Sequence, residues 1–296
     1  MLAVFLALGA ALGYAAASVL QQREAAAAPP HASGLRLVLG LARRPLWLAG
    51  LGCDWAAFAL QAAALGVGQL IVVQPVITAG LLFALPVSAW LGGRRLGRRD
   101  FGAAVVLGAA LSVFLLLAAS GGGRDRAHLH VWLLCAAVAG PALAVCIAAA
   151  SRSRGTRRAV LFALAAATIY GITAALTKTT VVLLDRHGLG LLGRWEPYGL
   201  VLLGALGFVL NQRAFHAGSL RASLPTLTVV EPVVAAIIGL TMLDEHIAAH
   251  GGLQWFAVGL SVVAMALATV DLSLSAARAD QPHEHELADV LASRVD

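Results

Sequence analysis

Nine apolar stretches, each near the roughly 20 residues that an α-helix needs to cross a bilayer, run almost the whole length of this 296-residue chain. They fall at about 2–20, 46–66, 70–92, 101–120, 131–150, 159–183, 196–216, 220–243 and 252–272. Such a pattern leaves few folds open. In lipid every backbone N–H and C=O must be satisfied within the protein, so only helices and closed barrels span a membrane, and runs of this length predict helices. Composition agrees: 60% hydrophobic and 12% charged residues, with mean hydropathy +0.85, leave too little polar surface to enclose an ordinary water-soluble core. The expected fold is an all-α integral membrane protein of about nine transmembrane helices. Met1 to Leu20 has no positive region ahead of its apolar run and no convincing cleavage site, so it is expected to be a retained first helix.

The formal charge of +6 invites a nucleic-acid reading, but twenty of the twenty-one basic residues are arginines in short gaps between apolar runs. That placement is an orientation signal rather than a nucleic-acid footprint. With nine crossings, sixteen arginines fall on one side (23, 36, 43, 44, 94, 95, 98, 99, 152, 154, 157, 158, 213, 221, 278 and 294) and four on the other (124, 126, 186 and 194). The N-terminus is therefore expected outside a plasma membrane and the C-terminus in the cytoplasm. Lys178, the only lysine, stands far along the sixth run and is expected to snorkel to the outer interface. Cys53, Cys135 and Cys146 lie within apolar runs and imply neither a disulfide framework nor a zinc site.

Internal similarity turns nine helices into two units. Ala3-Val4-Phe5-Leu6-Ala7-Leu8 through Tyr14 aligns with Ala159-Val160-Leu161-Phe162-Ala163-Leu164 through Tyr170, at an offset of 156. Leu60-Gln61 aligns with Leu210-Asn211. Val72-Val73-Gln74-Pro75-Val76-Ile77 matches Val229-Val230-Glu231-Pro232-Val233-Val234 at 157, with about seven residues inserted before the second copy. The expected organisation is a first four-helix repeat over 1–120 with an interfacial segment at 34–44, a linker helix and cytoplasmic loop over 121–158, a second four-helix repeat over 159–272, and a polar tail over 273–296. Five crossings separate corresponding helices, so the units are expected to be inverted, a construction common in secondary transporters.

The residues that do not belong in lipid are the candidate site. Glu231 places a carboxylate beside Pro232 in an apolar run, at a cost of at least a few kcal/mol if ionised. Counted at about 1.5 Å per residue, Glu231 and Asp54 come about 14 and 12 Å into their spans, near the midplane. A midplane acid in low dielectric is readily protonated, which suits a proton carrier; a permanently hydrogen-bonded helix contact is the competing reading. Gln74, Pro75, Pro225 and Pro232 are paired helix interruptions that point to a central cavity or, more plainly, to bends that shape packing. Gln61 and Asn211, with Tyr14 and Tyr170, occupy equivalent positions and could line that cavity or simply join helices. Gly9-x-x-x-Gly13 and Ala264-x-x-x-Ala268 allow close helix approach, within the chain or in a homodimer. The tail motif His283-Glu284-His285-Glu286 reads as solvated. No Walker A loop is present, and no cofactor is expected.

The repeat, together with Val-Val-Glu-Pro-Val-Val and Val-Val-Gln-Pro-Val-Ile, resembles the drug/metabolite transporter superfamily over about residues 1–272. The stretch from Glu231 to Glu245 is similar to the end of the EamA-like domain, with Asp244-Glu245 in place of Gly-Glu and without a tenth helix. Trp47 to Pro75 also resembles NIPA-type magnesium transporters. The resemblance implies alternating-access transport and does not carry a substrate over. The expectation is thus a non-enzymatic transporter of a small metabolite or drug-like solute, coupled to protons through Glu231. The alternatives are a magnesium pathway in which Asp54 and Glu231 hold the ion, and a flippase for a lipid-linked group. A cavity lined by aromatics with one acid would favour the organic solute, oxygens converging on Asp54 and Glu231 the cation, and an opening toward lipid the flippase.

Overall fold

The computed structural model describes residues 1–26, 40–80, 98–117, 123–124, 126–217, 220–247 and 251–279. Its elements in chain order are α1 (Leu2–Ala26), α2 (Pro45–Val67), α3 (Leu70–Thr78), α4 (Arg98–Leu117), α5 (Leu129–Arg152), α6 (Gly155–His187), a 3₁₀ turn (Gly188–Gly193), α7 (Glu196–Ala217), α8 (Leu220–Met242) and α9 (Gly252–Ala279). No strand occurs among the described residues. Six of these helices, α2, α4, α5, α6, α8 and α9, are long and apolar enough to cross a membrane. The chain is a helical membrane protein.

Local chemistry sets several boundaries. α2 starts on Pro45, whose missing N–H would be unsatisfied in a first turn anyway. α6 stops at Gly188, where φ is +52°, a region that favours glycine. α8 runs through both Pro225 and Pro232, and α3 through Pro75. The third apolar run, expected helical over 70–92, ends its described helix at Thr78 and turns at Ala79 and Gly80; residues 81–97 lie outside the description. Two expectations are corrected by helix extension. α9 continues to Ala279, so the stretch 273–279 is helix rather than tail, and α1 continues to Ala26. Most of the expected interfacial segment, and the His283–Glu286 motif, fall outside the described residues.

α6 is the centre of the packing. Two-thirds of its apolar window, 67%, is buried, against 6% for α5, which lies at the periphery along α6. α5 presents Leu133, Leu134, Val138 and Val145 outward, as a lipid-facing helix should. In lipid, helix association depends on close packing rather than on expulsion of water, and small residues provide it. A Cβ on Gly13 would stand 2.9 Å from the Ala57 Cβ, and one on Gly171 2.7 Å from Val234, so α1 meets α2, and α6 meets α8, at near-contact. Gly9 likewise faces Leu60, and Ala268 is buried, so both small-residue motifs are used inside the chain.

The packing partners come in corresponding pairs. α1 packs on α2 and α3 as α6 packs on α7 and α8; α3 touches α4 as α8 touches α9; and α3 meets α8 while α4 meets α9. Arg99 at the start of α4 pairs with Asp271 late in α9, whereas Arg124, beyond α4, pairs with Asp244, before α9. α4 and α9 are therefore antiparallel. At the Arg124 end Arg126 also pairs with buried Glu196, and Trp132 meets Trp195 edge-on.

Candidate functional site

The sequence-predicted polar residues fall into one neighbourhood, assembled from both halves of the chain. Tyr14 on α1 donates a 2.6 Å hydrogen bond to Oε1 of Gln61 on α2. Tyr170 on α6 stands beside Asn211 on α7, the equivalent pair by sequence offset. Glu231 on α8 lies within electrostatic reach of both tyrosines, and Asp54 within reach of Tyr14. All six side chains are half-buried, so each keeps accessible surface. Gln74, the counterpart of Glu231, is instead sealed in the core at 1% exposure, and its Nε2 has no hydrogen-bond partner.

α8 separates the acid from the prolines. Glu231 and Val234 sit on the side that approaches α6, where a Cβ on Gly171 would come within 3.0 Å of the Glu231 carbonyl oxygen. The other side, with Thr228, Val229, Pro232, Val233, Ala236 and Leu240, lines a cavity of about 220 Å³ shared with α3, α4 and α9. Pro75 of α3 also lines it. The two prolines thus share one cavity while Glu231 faces away from it. Pro225, about two turns before Pro232 on α8, is half-buried and is not in that lining. The wall is almost wholly apolar. Thr78 Oγ1 donates to the Gln74 carbonyl and Thr228 Oγ1 to the Pro225 carbonyl, so these hydroxyls satisfy their own helices.

A second charged site was not anticipated. Lys178 is 4% exposed and does not snorkel; its Nζ donates a 2.6 Å bond to Oε1 of Glu245, which is 2% exposed. The same oxygen accepts from the backbone N–H of Leu70 at 2.7 Å, and Oε2 accepts from that of Ile71 at 2.9 Å. Leu70 and Ile71 open α3, so the carboxylate caps a helix N-terminus whose amides and dipole favour negative charge. Burial among protein groups rather than in lipid is what overturns snorkelling: an ammonium with an internal partner has no need of the interface. Gly239 makes room for the carboxylate, since a Cβ there would be 2.6 Å from Glu245 Oε2. The sequence carried two signals, a lone lysine inside an apolar run and an acid closing the Glu231–Glu245 stretch, but nothing that paired them across 67 positions.

Among the described residues, no three His, Cys, Asp or Glu side chains gather as a metal-binding group. No family model matches the chain, and no solved structure matches it. An uncharacterized protein of Corynebacterium glutamicum is 34% identical over 283 residues, an alignment covering 92% of this chain and 95% of that protein. The chain belongs to the same family as that protein.

Proposed function

We propose that this member of the corynebacterial protein's family is a multi-pass secondary transporter of the plasma membrane, moving a small organic solute by alternating access in exchange for protons. The observation that carries the reading is the position of Glu231. A half-buried acid within electrostatic reach of Tyr14 from the first half and Tyr170 from the second is placed to report its protonation to both halves at once. Protonation removes a charge from a low-dielectric site, and so changes the relative cost of conformers that bury Glu231 to different depths. The paired packing of α1–α4 and α6–α9 supports two inverted units related through the α3–α8 and α4–α9 contacts. The gathering of Arg124 and Arg126 with Glu196 and Asp244 at one end, opposite Arg99 and Asp271, supports a crossing order that puts these two groups on opposite sides of the membrane. The cavity on the other face of α8 is lined almost wholly by apolar side chains and holds no acid, which supports an apolar solute group there rather than a hydrated cation.

The test is solute-driven proton movement in proteoliposomes with a trapped pH dye and an imposed acid interior, across a panel of lipophilic amines. Wild type should release protons on addition of a transported amine, and Glu231→Gln should not. Equal proton release by the glutamine variant at every pH refutes the coupling role.

A further inference from the structure

The cavity between α3, α4, α8 and α9 has a chemistry that the polar cluster does not explain. It lies on the face of α8 away from Glu231, and its threonines Thr78 and Thr228 direct their protons to their own helices, with Thr269 engaged as well. A ligand there finds dispersion contacts and little else. Its volume of about 220 Å³ is below the roughly 300–1,000 Å³ of a pocket that encloses a drug-sized molecule. It accommodates one slender apolar group.

The mouth shows where that group comes from. Val233, Leu240 and Val262 line the cavity yet are 47%, 42% and 41% exposed, on helices whose outward residues face lipid. The inner wall is formed by Leu107, Phe114 and Met265, each 9% exposed or less. The cavity is therefore continuous with the hydrocarbon surface of the protein. A solute arriving from water would have to cross the bilayer to enter it, whereas an alkyl chain already in the membrane enters by lateral movement.

We propose that this cavity binds the alkyl chain of a single-chain amphiphile that enters sideways from the bilayer, so that the substrate class is a membrane-partitioned amphiphile. As a statement about substrate this rests on the transport reading; as a statement about occupancy it stands alone.

The test uses a fatty acid carrying a photoactivatable diazirine near its terminal methyl, incorporated into proteoliposomes of the full chain and mapped by peptide mass spectrometry. Labelling is expected on Leu107, Phe114 or Met265, which an alkyl chain touches only from inside the cavity, as well as on outward residues such as Leu267, 66% exposed. Val262→Trp at the mouth and Ala236→Phe on the wall should each reduce the inner labelling about tenfold, equivalent to a tenfold loss of affinity at low occupancy, and leave Leu267 labelling unchanged. Val262→Trp changes only a rim residue, so it remains informative if Ala236→Phe folds poorly. Labelling confined to outward residues, inner labelling indifferent to both variants, or equal inner labelling by a water-soluble diazirine would each overturn the proposal. Glu231→Gln separates the two readings, because inner labelling should persist when proton coupling is lost. Inner labelling in a protein without solute-driven proton flux would remove the transport reading and keep the site.

Discussion

The buried Lys178–Glu245 pair permits a quantitative test, because its surroundings predict unequal costs for removing its two partners. Glu245→Ala deletes three accepted hydrogen bonds: it leaves the Lys178 ammonium without its carboxylate and uncaps the Leu70 and Ile71 N–H groups. Breaking a buried pair from one side costs about 3–5 kcal/mol, since an uncompensated charge stays behind. Lys178→Met should cost less. Glu245 then keeps both backbone donors and the N-terminus of α3, which continue to favour its charge. The double variant Lys178→Met/Glu245→Gln leaves no buried charge and retains an amide oxygen that can accept from the first turn of α3. It should therefore be more stable than Glu245→Ala, with a cycle coupling of about 2 kcal/mol, in the range found for residues of one network.

The assay is thermal unfolding in detergent, followed by loss of the monodisperse peak. For chains of 150–250 residues about 1 kcal/mol corresponds to roughly 2–4 °C, and the lower figure is appropriate for a chain slightly longer than that range. Glu245→Ala should thus lower the midpoint by about 6–10 °C at that rate, from the 3–5 kcal/mol above. Lys178→Met should lower it by less, and the double variant should recover part of the loss. Equal shifts for the two single variants, or a double variant equal to the sum of Glu245→Gln and Lys178→Met, would show that the carboxylate is not held in the way the distances indicate.

Three further outcomes follow from the packing. Gly171→Leu should destabilise the protein by about 1–3 kcal/mol, the usual cost of overpacking, because Val234 and the Glu231 carbonyl occupy the space; unfolding in detergent reads it, and an unchanged midpoint would mean that α6 and α8 are not in near-contact. Arg126→Ala should lower the unfolding midpoint more than Glu196→Ala, since the glutamate is 1% exposed and the arginine 39%, so that a water-accessible arginine left behind can recover solvation while an unpartnered buried acid cannot. Paired Leu→Ala changes at Leu133 and Leu134 on α5 should cost no more than about 1 kcal/mol of stability in all, about 0.5 for each outward position; a large loss would reveal a partner covering that face.

Some helix positions were legible because a bilayer sets a minimum length for a span. The run at 46–66 became Pro45–Val67 and that at 131–150 became Leu129–Arg152, within two residues at each end. What could not be read was which face of a helix a residue takes. Glu231 and Pro232 are neighbours in sequence and look like one functional unit, but a helix advances about 100° per residue, enough to put the acid toward α6 and the proline in the lipid-continuous cavity. Pairing between distant elements was equally hidden. Lys178 read alone is an interface anchor, and only the approach of the α8–α9 connection to α6 and α3 makes it an internal cation.

Taken with the sequence offsets, these placements sharpen the asymmetry between the halves. Glu231 has Gln74 as its counterpart; at the same offsets Lys178 falls on Gln22 and Glu245 on Ser88. The second half supplies all three charges and the first half neutral residues at each matching position. What the first half contributes is neutral donors, the Leu70 and Ile71 amides bound to Glu245. Charge held by dipoles of the other half is a physical basis for coupling. On the transport reading we propose, relative movement of the halves would change the solvation of those charges, and a proton arriving at Glu231 would change what that movement costs.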